Sequence, residues 1–283
     1  MEKAIRKYWP VFLLPTVAAF IIGFLYPFFQ GLYLSFCSFV TIDKATFNGL
    51  NNYIYAFTDT ETLHALWYTS AFTVVSTITI NVLAFALALA LTSKVKGANG
   101  FRTVFFMPNL VGGVVLGYIW QILLNCLLTL LEKPLLALDE RIGFVGLLIL
   151  MCWQQIGYMM IIYIAGLQSI PDTYIEAAKI DGASAHQILW KVKIPNVMPS
   201  ITICSFLTIT NGFKLFDQNM ALTGGEPMHR SEMLALNIYN TFYGRSGAVW
   251  KGYGQAKAVI FCILVIFIAL IQLSVTRSKE VQQ

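Results

Sequence analysis

The chain has 283 residues, 57% hydrophobic and only 12% charged, with a mean hydropathy of +0.68. Soluble domains carry about a quarter charged residues, so a water-soluble globule is excluded and a bilayer-embedded chain is expected. The formal net charge of +5 is modest, and nothing in the sequence resembles a nucleic-acid-binding patch. Five cysteines (Cys37, Cys126, Cys152, Cys204, Cys262) and three histidines (His64, His186, His229) lie scattered without metal or redox spacing. Lone thiols in apolar sequence behave as small hydrophobes.

The N-terminus is basic and precedes an apolar run from Val11 to Tyr26 that continues past Pro27 through Phe28–Phe36. It is too long for a signal-peptide core and lacks a small-residue cleavage site. An uncleaved first span, tilted or kinked at Pro27, is expected. Residues 38–65 are polar and turn-rich. A second span runs from Trp67 to Leu91, followed by a basic loop with Lys94, Lys96 and Arg102. Thr103 to Leu124 reads as a third span, with Pro108 and Gly113-x-x-x-Gly117 inside it. Residues 125–142 are mixed, and Gly143 to Leu167 is the fourth span. A polar stretch at 169–200 precedes a fifth span that begins near Pro199 and fades into Asp217. The long polar segment 217–254 leads to the last span, Ala256 to Val275. Each run approaches the roughly 20 residues needed to cross a bilayer, so the fold class is all-α with six transmembrane helices.

Lys and Arg collect at the N-terminus, the 94–102 loop, the 169–200 stretch and the C-terminus, whereas the 43–61 loop is acidic. Positive segments stay cytoplasmic, which puts both termini and the 169–200 stretch on that side. Arg230, Arg245, Lys251 and Lys257 in the 217–254 region and just beyond it run against this pattern.

The 169–200 stretch predicts two short helices joined by a glycine. Pro171 and Asp172 suit a first helical turn, Gly182 a left-handed helix end, and Ser184 with Gln187 a capping box. Pro195 and Pro199 stop the second helix. Within the spans, Asn81, Asn109, Gln121, Gln154, Gln155, Asn211 and Lys214 are expected to point away from lipid. Each either bonds a neighbouring helix or lines a polar passage. Lys214 and Asp217, three apart, are expected to pair on one helix face, and Gly113-x-x-x-Gly117 to pack helices.

The stretch Glu176-Ala177-Ala178, Gly182, Val192-Lys193-Ile194-Pro195 resembles the EAA loop of ABC importer permeases, with its spacing intact and two departures, Val192 and Ile194 in place of the pattern's Ile and Leu, that are conservative in volume. Ile170-Pro171 and Tyr174 through Ser184 are similar to the carbohydrate-uptake branch. So are Phe47 through Tyr53, Trp153 through Gly157, Phe213 through Asp217, and Leu222 through Pro227. The Thr-Gly-Gly element at 223–225 resembles the maltose-type first permease, although Glu226 stands where that run has a third glycine.

The resemblance implies the MetI-like ABC permease fold over 1–283, with a cytoplasmic coupling loop at 169–199, in a bacterial-type inner membrane. It implies a permease for a sugar, oligosaccharide or related polyol. Its partners would be a second homologous permease, two cytoplasmic ATP-binding subunits and an extracellular solute-binding protein. ATP and Mg would sit on those partners, and no cofactor on this chain. Glu176, Ala177, Ala178, Lys179, Asp181, Gly182, Ser184 and Lys191 would face the ATPase. Gln154, Tyr158, Asn211, Lys214 and Asp217 are the candidate substrate pathway. The sequence contains no G-x-x-x-x-G-K-[ST], H-E-x-x-H or G-x-S-x-G, so no enzyme activity is expected. A permease for a non-sugar solute, an intramembrane enzyme and a membrane scaffold remain as alternatives.

Overall fold

The computed structural model describes residues 11, 13–93 and 96–277. Residues 1–10, Lys94 and Lys279, used above for orientation, lie outside the described residues. The chain forms two compact units, one from the N-terminal 59 residues with Ile238–Cys262, the other from Thr60–Asn237 with the chain beyond Ile263.

In the first unit, helix α1 (Leu13–Leu34) is the first span. The expected distortion at Pro27 takes the form of a π-helical turn, Ile21–Leu25, just before it, where the Tyr26 N–H donates to Ile21 O. A proline contributes no N–H to the ladder, and an extra residue in the preceding turn accommodates that loss. Strands β1 (Cys37–Ser38) and β2 (Thr46–Phe47) then pair antiparallel, Cys37 opposite Phe47. Helix α2 (Asn51–Thr58) buries Asn52 completely, and its amide donates to Ser35 O at 2.8 Å and Cys37 O at 2.9 Å.

Three cations that defied the charge pattern have structural partners in this unit. Lys257 Nζ lies 2.9 Å from Asp59 Oδ2, Lys251 donates to Val40 O at 2.9 Å, and Arg245 sits 4.4 Å from the Trp250 ring centroid.

The second unit opens with α3 (Thr60–Thr92), whose 33 residues begin well before the expected Trp67. The third span does not run from Thr103 to Leu124 as expected but from Gly113 to Leu130. Helix α4 (Ala98–Phe106) ends at a 3-10 turn, Met107–Leu110, and α5 (Gly113–Leu130) starts only after an extended Val111 and Gly112. Pro108 breaks the ladder and Gly112 caps the new helix in an extended conformation. Helix α6 (Glu140–Gln168) is capped by the Asp139 side chain, which accepts from Arg141 N and Ile142 N.

Helix α7 (Asp172–Ile180) precedes α8 (Ala185–Asn196) and α9 (Met198–Phe213), the last two bent by 69°. Helices α10 (Asp217–Leu222), α11 (Leu234–Tyr239) and α12 (Ala248–Arg277) follow. Among the described residues five helices are long and apolar enough to cross a membrane, six if the bent pair counts as one.

Small residues set the spacing of these helices. Ala84 and Ala88 of α3 are fully buried beside Met159, Met160 and Tyr163 of α6, as expected where helices approach without a hydrophobic driving force. A Cβ on Gly157 would overlap the Phe105 carbonyl, so α6 passes directly over the end of α4. Gly113 and Gly117 face Asp217, Gln218 and Ala221, so the G-x-x-x-G seam docks α5 on α10. A polar tie links α3, α6 and α9: Tyr163 Oη donates to Asn81 Oδ1 at 2.7 Å, and Asn81 Nδ2 donates to Thr208 Oγ1 at 2.9 Å.

Candidate functional site

Two features of the second unit stand out, a hook and a cavity. The hook is α7, Gly182 and α8. Gly182 has φ +77°. Its N–H donates to Lys179 O at 3.1 Å and the Ala183 N–H to Ala178 O at 2.9 Å, the paired bonds of a Schellman end. Ser184 then opens α8 with a complete capping box: Gln187 N donates to Ser184 Oγ and Ser184 N to Gln187 Oε1. Both ends are therefore satisfied by the hook itself, and its angle is set locally.

Glu176, Ala177, Lys179, Asp181, Gly182, Ser184 and Lys191 are all exposed, and Ala178 half-buried. No ion pair among the described residues engages the four charges. Sequence reasoning passed over the apolar side chains of the same surface. Ile180 is 86% exposed, and Tyr174 and Trp190 more than half. An isoleucine at a helix end, beside Asp181 and Gly182, was the available signal.

The cavity has a volume of about 320 Å³. Gln154 and Gln155 come from the middle of α6, Asn211 and Lys214 from the end of α9, and Asp217 and Gln218 from the start of α10. Asn109 reaches it from the 3-10 turn after α4, and Leu215 and Phe216 complete the lining. The Gln218 amide donates to Gln154 Oε1 at 2.8 Å, and Gln154 Nε2 donates to Val111 O at 3.3 Å. These bonds fix which faces of the amides remain available.

Four of the five predicted pathway residues, Gln154, Asn211, Lys214 and Asp217, thus share one wall. Tyr158 does not join them. One turn further along α6, it packs against Phe106 with ring centroids 6.4 Å apart. The expected Lys214–Asp217 ion pair is also absent among the described residues. Helix α9 ends at Phe213, Lys214 is its cap, and Asp217 begins another helix, so the three-residue spacing no longer shares a helical face. Both side chains are exposed. Gln155 and Asn109 were expected to point away from lipid, toward a neighbouring helix or a polar passage, and they line the cavity; Gln218 was missed because it stands outside the fifth apolar run.

Among the described residues no group of three or more His, Cys, Asp or Glu could hold a metal. The family model for "Binding-protein-dependent transport system inner membrane component" matches residues 98–281. The chain is 39% identical over 282 residues to the "Probable starch degradation products transport system permease protein AmyD" of Thermoanaerobacterium thermosulfurigenes, covering 97% of this chain and 95% of that one. It is 31% identical to the "Multiple sugar-binding transport system permease protein MsmF" of Streptococcus mutans, covering 99% of each.

A chain in the crystal structure of a bacterial alginate ABC transporter, in complex with alginate pentasaccharide-bound periplasmic protein, has the same fold. Its TM-score is 0.79 at 20% identity, with 98% of this chain and 97% of that one covered. The chain therefore belongs to the inner-membrane components of binding-protein-dependent transport systems, a family of multi-pass ABC importer permeases rather than enzymes.

Proposed function

We propose that this chain conducts a sugar, oligosaccharide or related polyol across the membrane through the amide-lined cavity. Its hook would dock on a cytoplasmic ATP-binding subunit. A second homologous permease and two such ATPases complete the assembly, with ATP and Mg held on the ATPases. An extracellular binding protein delivers the solute, and both termini are cytoplasmic. The names of the relatives support the sugar, and the chemistry of the wall supports it independently. Five amides present donors and acceptors together, and one lysine and one aspartate leave the wall without net charge.

One observation carries the mechanism. The hook lies directly between the helices that hold the cavity: α6 ends at Gln168 just before it, and α9 begins at Met198 just after it. Gln154 stands fourteen residues before the end of α6, or about 21 Å along the helix axis. Because the joint between α7 and α8 is closed by its own bonds at Gly182 and Ser184, a force on the hook passes to α6 and α9 instead of opening that joint. The exposed Ile180, Trp190 and Tyr174 provide apolar area for docking, and Glu176, Lys179, Asp181 and Lys191 set register by charge.

The test is co-purification with the cognate ATP-binding subunit after Ile180→Asp and Trp190→Asp. Recovery of that subunit should fall by about tenfold, a loss of roughly 1.4 kcal/mol, with membrane insertion unchanged. Undiminished recovery with both changes in place would overturn the docking role.

A further inference from the structure

Along α3, Thr69, Thr73, Thr77 and Asn81 recur at every fourth position, making one polar row along the helix. Hydroxyls on this helix ordinarily donate to the carbonyl one turn back. Thr69 does so to Ala65 O at 2.7 Å, Thr79 to Val75 O at 2.8 Å and Thr92 to Ala88 O at 2.8 Å. Thr73 and Thr77 depart from the habit. Both hydroxyl oxygens are buried and bond to no protein group.

Helix α6 packs along α3 and contributes Gln155, which is 7% exposed. Its Oε1 is likewise buried without a partner, and its Nε2 reaches only Met151 Sδ at 3.9 Å. Thr73, 3% exposed, lies against α9: a Cβ added to Gly212 would come 2.8 Å from Thr73 Oγ1. The preceding residue, Asn211, lines the cavity, as Gln155 does. The unpaired oxygens therefore begin at the cavity wall. They follow α3 toward Asn81, where the amide and its partners Thr208 and Tyr163 are satisfied again.

Unpaired polar groups at bilayer depth are costly, and a water bound there needs two to four polar partners. We propose that Thr73, Thr77 and Gln155 form a hydrated annex to the cavity that binds ordered water. The two hydroxyls offer donors and the amide oxygen an acceptor. The annex gives a polyhydroxyl solute in the cavity a reservoir of water with which to exchange its hydration shell, and this role rests on reading the cavity as the solute passage.

The experiment measures how fast a small methanethiosulfonate reagent modifies Thr73→Cys, Thr77→Cys and Asn211→Cys in the assembled transporter. Mass spectrometry resolves each site, so the native cysteines stay in place. Native Cys204, fully buried in the apolar cluster of α9, is the dry reference. Both threonine-site cysteines should react about tenfold faster than Cys204, as thiols meeting water do. Rates no faster than that of Cys204, with Asn211→Cys reactive, would overturn the annex and leave the cavity standing. Failure of all three would remove both. If Thr73→Cys does not assemble, the rate at the half-buried Thr77 site decides.

Discussion

The ammonium of Lys257 lies 2.9 Å from the carboxylate of Asp59, with 1% and 9% of the two side chains exposed. It also donates to Thr241 Oγ1 at 2.8 Å, and the Tyr55 ring centroid is 6.0 Å away. Two stretches distant in sequence meet at this one cation: the end of α2, and the π-helical turn Asn240–Gly244 with the α12 that follows it.

Breaking such a pair strands a buried charge, at a cost of roughly 3–5 kcal/mol, whereas removing both partners is much less damaging. Lys257→Met alone and Asp59→Ala alone should each lower the thermal stability of the detergent-solubilised assembly sharply. The combined change should recover a substantial part of the loss. A double variant as unstable as the sum of the two would show that the charges act independently.

The orientation is open to labelling from outside intact cells. A cysteine at Asp43, exposed beside the first hairpin, should react with an impermeant thiol reagent, and one at Ala185 on the hook should not. Asn52, in the same segment between the first two spans, is fully buried and is not a suitable reporter. Labelling of Ala185→Cys from outside would reverse the topology and detach the hook from any cytoplasmic ATPase.

Two physical roles for Gly182 give opposite orders of substitution. Its φ of +77° and the absence of any atom within 4 Å of an added Cβ make backbone conformation the constraint within this chain. Asn should then be tolerated better than Ala, and Ala better than Val. The penalty is about 1–2 kcal/mol for residues that avoid the left-handed region. Binding-protein-stimulated ATP hydrolysis by the assembled complex is the readout. Ala clearly above Asn would mean that side-chain volume at the ATPase contact decides instead.

Much of the hook was legible because its determinants are local. A glycine at a helix end and a Ser-x-x-Gln pair specify their own hydrogen bonds without help from distant residues. The cavity was legible only in part. A polar residue in an apolar run must avoid lipid, but composition does not say whether it meets a neighbouring helix or an opening. Asn81 bonds Thr208 and Tyr163, whereas Asn211 lines the cavity. Gln218 enters because α10 is docked on α5 through Gly113 and Gly117, a contact about a hundred residues apart in sequence. The third span was misjudged because hydropathy continues across Pro108 while the helix does not. The burial of Lys257 depended on Asp59, nearly two hundred residues earlier.

Passage of sugar through the cavity is tested most directly by filling it. Asn211→Trp places a bulky ring in about 320 Å³ of polar space, far from the hook at the other end of α9. The complex, with partner permease, ATP-binding subunits and binding protein, is reconstituted in liposomes and supplied with a labelled sugar that the binding protein retains. Uptake should fall by about tenfold or more, while co-purification of the ATP-binding subunit stays within about twofold of the unaltered complex. Uptake at the unaltered rate with tryptophan in place would contradict the assignment of this cavity as the route.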